Sequence, residues 1–147
     1  MISYKGSQFL FDRPAYKREC LVDEEFLDEV EIVNSVAQKY GIFIYTTSSF
    51  RLVDQKVKGA IVTPAKMGNH FVGHGIDFNL LYKGKIYGSV ALKKPTGDIK
   101  LFIDECVSKG VRWGGNFRKP DDIHFDSGLN LRDPEKYKIK FAQYQKP

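Results

Sequence analysis

The apolar residues in the first third of the chain follow two rhythms. From Leu21 to Tyr40, the residues Phe26, Leu27, Val30, Val33, Val36, Ala37 and Tyr40 recur every three or four positions, the spacing that lines one face of an α-helix. Asp23, Glu24 and Glu25 stand at its amino end, where the helix dipole favours negative charge, and Gly41 is the expected stop. Ile42 to Tyr45 is a short β-branched and aromatic run leading into the polar Thr46-Thr47-Ser48-Ser49, and it predicts a buried strand followed by a turn.

Farther along the rhythm is broken more often. Arg51 to Met67 carries mixed signals, a turn of helix near Leu52 to Lys58 and a break at Pro64, and reads as a loop. Asp77 to Leu81 and Ile86 to Leu92 flank Lys83-Gly84 and predict a hairpin. Thr96 is placed to cap a second helix ending about Lys109, with Ile99, Phe102, Ile103, Cys106 and Val107 on one face and Gly110 as its terminator. Val111 to Phe117 follows it, and a Lys-Pro-Asp-Asp turn leads to a short strand at Ile123 to Phe125. Asp133 to Pro147 reads as a closing strand or a frayed tail. The predicted fold class is α+β, with two main helices packed on a small, mostly antiparallel sheet.

Composition narrows this picture only modestly. At 147 residues and 42% apolar content, one domain spanning 1–147 is expected, and a monomer with it. A net charge of +5, spread along the chain, favours anionic partners, nucleic acid and cell-wall polymer alike. A nucleic-acid binder rests on that charge alone, because no recognition motif accompanies it. Cys20 and Cys106 are too few and too far apart for a disulfide framework and read as two buried thiols. Met1 to Lys17 lacks an uninterrupted apolar stretch, so neither a secretory signal nor a membrane span is expected there. The expected location is the cytoplasm, unless another route releases the protein.

The chemistry is concentrated in two segments. Asn69-His70-Phe71-Val72-Gly73-His74-Gly75-Ile76-Asp77 and Asp121-Asp122-Ile123-His124 hold all three histidines, each close to a carboxylate. Imidazole and carboxylate together are the ligand set of a catalytic zinc site, in which three protein groups leave a fourth position for water. His70 and Asp77 are seven residues apart, about 10.5 Å along a helix, too far to share an ion, so the glycines between them imply a looped or extended connection. His70 and His74 have the spacing of a helical H-E-x-x-H pair but lack its glutamate. In the second segment Asp121 and Asp122 both lie within reach of a water held by His124, and spacing leaves the choice of general base open.

Read in order, His70-x-x-Gly73-x-Gly75-x-Asp77, Trp113-Gly114-Gly115-Asn116-Phe117 and Asp121-x-x-His124-Phe125 resemble the zinc D-alanyl-D-alanine carboxypeptidase and L-alanyl-D-glutamate endopeptidase family, phage endolysins in particular. The resemblance runs from about Leu21 to Phe125 and implies Zn2+ held by His70, Asp77 and His124, with Asp121 as catalytic base. Ser48-Ser49-Phe50-Arg51-Leu52-Val53-Asp54-Gln55 is similar to the family's arginine segment. It implies that Arg51 binds substrate and stabilises the polarised carbonyl, with Ser49 and Gln55 beside it on substrate. The implied partner is the peptidoglycan stem peptide, cut after L-alanine in preference to a terminal D-alanine. Gly68 replaces the family's usual serine, Gly75 its frequent alanine, and Asn116-Phe117 the endolysins' frequent Asp-Trp. His74 is not a family ligand position and is read as a pocket or supporting residue. The competing reading is a non-enzymatic module that keeps zinc for stability alone, against which Asp121 argues, since a structural site needs no base.

Overall fold

The computed structural model describes residues 1–16, 18–53 and 67–145. Strands β1 (Ile2–Tyr4) and β2 (Cys20–Val22) pair with each other and precede helix α1 (Leu27–Tyr40). Next come β3 (Ile42–Ser48), β4 (Gly75–Tyr82), β5 (Lys85–Tyr87) and helix α2 (Gly97–Ser108). Strands β6 (Arg112–Trp113) and β7 (His124–Asp126), the short α3 (Leu129–Arg132) and α4 (Pro134–Tyr144) complete the described chain. The architecture is α+β, as the hydrophobic pattern predicts.

β4 is the spine of the main sheet. β3 runs antiparallel along one of its sides, while β7 pairs with its first residues and β5 with its last on the other, and β6 adds outside β7. Side chains alternate along β4: Ile76, Phe78 and Leu80 are buried, whereas Asp77 and Asn79 are only half-buried on the opposite face. The buried face meets α1 and α2 in a single apolar cluster, with the Phe125 ring 4.7 Å from Phe78 and 6.0 Å from Phe102. The other face carries the chemistry.

Several boundaries differ from the sequence pattern. Leu21 and Val22 belong to β2 rather than to the first helix, because the two-stranded sheet takes up their backbone groups; Asp23 then turns the chain by accepting from the Glu25 N–H. Gly41 ends α1 in the left-handed conformation at φ 68°, as expected. The Lys83-Gly84 hairpin forms with both residues at positive φ, but its second arm is only Lys85–Tyr87. Thr96 precedes α2 without a side-chain capping bond. The last segment is neither strand nor frayed tail over Pro134–Tyr144 but helix α4, capped by Asp133, whose carboxylate accepts the Lys136 N–H at 3.1 Å. Both cysteines are buried and unpaired. Of the segment read as loop, Arg51, Leu52, Val53 and Met67 are described, while Asp54 to Lys66, with Gln55 and Pro64, lie outside the described residues.

Candidate metal and catalytic site

Antiparallel pairing brings the two halves of the site together. Asp77 on β4 is the direct partner of His124 on β7, and Gly75 is the partner of Asp126. His70 arrives from a one-turn 3₁₀ helix, Asn69–Val72, which Gly73 terminates at φ 73° before β4 begins. Gly75 has no side chain for a steric reason: a Cβ there would lie 3.0 Å from His124 Cε1 and 3.3 Å from the His70 backbone nitrogen. The connection between His70 and Asp77 is thus turned and then extended, as the glycines require.

One carboxylate oxygen sits between the two imidazoles. Asp77 Oδ1 is 3.1 Å from His70 Nε2 and 3.0 Å from His124 Nδ1, and one ligand atom from each of the three residues lies within 4.8 Å of the others. The outer ring nitrogens define the tautomers. His70 Nδ1 lies 2.7 Å from the Ser49 carbonyl, which can only accept, so that nitrogen carries the proton. His124 Nε2 donates likewise to Asp126 Oδ2 at 2.7 Å. Asp126 is ionised: burial opposes its charge, but His124 and Arg112 outweigh burial and hold its carboxyl well below the usual range. Arg112 grips it with two bonds of 2.7 and 2.9 Å.

With those protons facing outward, two imidazole lone pairs converge on a carboxylate oxygen. Such a group of acceptors demands a positive charge among them. The same field acts on protons: burial would depress the His124 imidazolium, yet Asp126 and Asp77 raise it to about 10. Asp77 is held well below its ordinary range despite burial, by the two histidines. Two nitrogens and one oxygen suit a divalent ion such as zinc, and the Asp77 side chain retains 15% exposure, an opening for a further ligand.

The flanking charges are arranged around this trio. Arg51 is buried, donates to Ser48 Oγ at 3.2 Å and lies over the Phe71 ring. Burial lowers its guanidinium, while the charges of Asp77 and Asp121 favour it. Its backbone is fixed from just past the end of α4: the Gln145 side-chain amide nitrogen donates to the carbonyls of Arg51 and Phe71 at 3.0 and 2.7 Å. Asp121 is half-buried and its carboxyl is raised, first by burial and then by the negative charge of Asp77, against the pull of His124 and His70. The Asp121 segment is pressed onto Gly114, where a Cβ would lie 2.1 Å from the Asp121 carbonyl oxygen. Asp122 uses its carbonyl to accept from Trp113 Nε1 at 2.9 Å.

Residues 62–127 match the family model of D-alanyl-D-alanine carboxypeptidase. That stretch contains His70, Asp77, Trp113, Asp121 and His124, and the resemblance read from these motifs is borne out over it. The match supports a peptidase of the peptidoglycan-related class, with which the metal-compatible trio agrees. No curated protein matches the chain. Among the described residues, no helix is long and apolar enough to cross a membrane.

The remaining site candidates distribute as follows. Ser49 spends its hydroxyl inside the protein, accepting from the Leu21 N–H at 2.9 Å and donating to the Glu19 carbonyl at 3.0 Å, while its own carbonyl orients His70. Gln55 lies outside the described residues. His74 takes no part in the trio. It is buried against Phe26, with Nε2 2.9 Å from Asp23 and Nδ1 2.8 Å from Ser127 Oγ, and its imidazolium is depressed chiefly by burial. Trp113 packs on the core. The motif reading missed Asp126 and Arg112; the signal was present in His124-Phe125-Asp126, where period two puts the acid on the histidine's side of a strand.

Proposed function

We propose that this chain is a zinc-dependent peptidoglycan peptidase that hydrolyses a stem-peptide bond, with L-alanyl-D-glutamate endopeptidase activity favoured over D-alanyl-D-alanine carboxypeptidase activity. The observation that carries the proposal is the convergence of two oriented imidazole lone pairs and one carboxylate oxygen beside a second, separately held carboxylate. His70, Asp77 and His124 would hold the ion, which when bound supplies Lewis acidity to the scissile carbonyl and lowers the pKa of water.

The chain's own residues do the rest. Asp121 takes the proton of the attacking water and later returns it to the leaving amine; its raised carboxyl suits both halves of that exchange. Asp121 is favoured over Asp122 because its charge is coupled to His70, Asp77 and His124. Arg51 offers a fixed fork of donors to the oxygen that gains charge, and its burial strengthens that attraction. Gln55, four residues past the buried Arg51, is assigned with it to substrate binding.

The test is purified protein on isolated peptidoglycan, with and without chelator, and mass analysis of the released fragments. Chelator-sensitive fragments bearing a new D-glutamyl amino terminus are expected, whereas release of free D-alanine alone would favour the carboxypeptidase. Asp121→Ala should bind zinc normally and lose about 10²- to 10⁴-fold in kcat. Full activity in that variant would remove Asp121 from the mechanism.

A further inference from the structure

The face of the sheet that carries the trio continues past it. Asn79 stands two residues beyond Asp77 on β4, hence on the same face and about 7 Å farther along the strand. Its cross-strand partner on β3 is Tyr45, which is buried beneath Tyr16, the two rings stacking at 4.7 Å. The amino-terminal segment is thereby folded over this face, with the Tyr45 hydroxyl donating to Asp12 at 2.6 Å and Asn79 Nδ2 donating to the Tyr16 hydroxyl at 3.1 Å.

That last bond leaves a particular pair of groups unused. Asn79 keeps its carbonyl oxygen as an acceptor and Tyr16 keeps its hydroxyl hydrogen as a donor, and neither has another hydrogen-bond partner among the described residues. Were the amide turned over, the pair would still present one donor and one acceptor. Gly88, beside Asn79, keeps the approach clear, since a Cβ there would come within 3.3 Å of Asn79 Oδ1. An adjacent donor and acceptor match the N–H and C=O that a single residue of an extended peptide turns to one side.

We propose that Asn79 and Tyr16 form a subsite that grips the main chain of an extended peptide substrate about two residues from the bond that is cut. This rests on the peptidase reading above and deepens it: the enzyme requires peptide beyond the scissile dipeptide, and a dipeptide leaves the pair unmet. Side-chain identity at that position matters little, because the groups recognised belong to the main chain.

The test compares the zinc-loaded wild type with Asn79→Ala, Tyr16→Phe and Gly88→Ala on the free stem pentapeptide and on the dipeptides L-alanyl-D-glutamate and D-alanyl-D-alanine. Tyr16→Phe keeps the stack on Tyr45 and removes only the hydroxyl, so it guards against misfolding. The wild type should prefer the pentapeptide at least tenfold in kcat/KM. Each variant should reduce that preference about three- to tenfold, mainly through KM, with zinc content unchanged. An unchanged preference in Tyr16→Phe and Asn79→Ala would overturn the subsite. If the wild type cleaves none of the peptides, the peptidase reading fails separately, and calorimetric binding of the pentapeptide decides the subsite. Binding weakened at least threefold in the variants supports it, and equal or absent binding overturns it.

Discussion

Asp126 lies beneath His124 and is tied on every side: to the imidazole, to both arms of the Arg112 fork, and to the Gly128 N–H at 2.8 Å. It has no opening through which to meet a substrate, being 1% exposed. Its work is to fix the tautomer and direction of His124, as carboxylates behind metal-bound histidines do. Asp126→Ala should therefore weaken zinc affinity about 10- to 100-fold, measured by competition with a chromophoric chelator. An unchanged affinity would mean that the strand alone orients His124. At this scale the candidate ligands were legible in the sequence because histidine and aspartate are rare in apolar strands and their chemistry limits their uses. Asp126 was not, because a strand residue two positions from a histidine is ordinary until the strand is known to be one. Ser49 shows the converse: its neighbours suggest substrate, but its hydroxyl closes a backbone gap between β2 and the end of β3.

Among the elements, the loop between β6 and β7 is the one under closest constraint. Gly114 receives the Asp121 N–H at 2.9 Å on its carbonyl and the Asp121 carbonyl against its Cα. A methyl group there would also press on His124 Cβ at 3.0 Å, and all but one of these obstacles are backbone. Gly114→Ala should displace the Asp121 segment and cost about 100-fold in kcat, with about 1–3 kcal/mol of stability lost to overpacking. Turnover and thermal melting check the two effects, and wild-type kcat would show that Asp121 needs no such placement. Both central helices and the Lys83-Gly84 hairpin were readable from periodicity and turn chemistry. α4 was hidden by its charges, although Asp133-Pro134 is a helix start and Tyr137, Phe141 and Tyr144 form its buried or half-buried stripe. The two-stranded β1–β2 sheet was unreadable because a three-residue strand carries too little pattern.

Over the whole molecule, α4 and the amino-terminal half are joined through Asp23. Its carboxylate meets Lys140 at 2.9 Å, the Tyr144 hydroxyl and His74. Burial opposes its charge, but these partners prevail and lower it from 3.8 to about 2. A depressed carboxyl stabilises the fold fully above its unfolded value and loses that contribution as pH falls toward the folded one. Asp23 should thus contribute on the order of 2 kcal/mol above about pH 4, lost by about pH 2. His74, buried and depressed from 6.5, adds a loss that begins as pH drops below that value, since the unfolded chain takes up its proton first. Acid titration of unfolding free energy for wild type and Asp23→Ala should show two curves that converge at low pH; a constant gap between them would contradict the assignment.

The convergence of His70, Asp77 and His124 on one cation is tested most directly by X-ray absorption at the zinc edge of zinc-dialysed protein. One ion per chain, in a shell of nitrogen and oxygen at about 2.0–2.1 Å that contains two imidazoles and no sulfur, is the expected result. A sulfur shell at about 2.3 Å, or protein that retains no zinc, would contradict it.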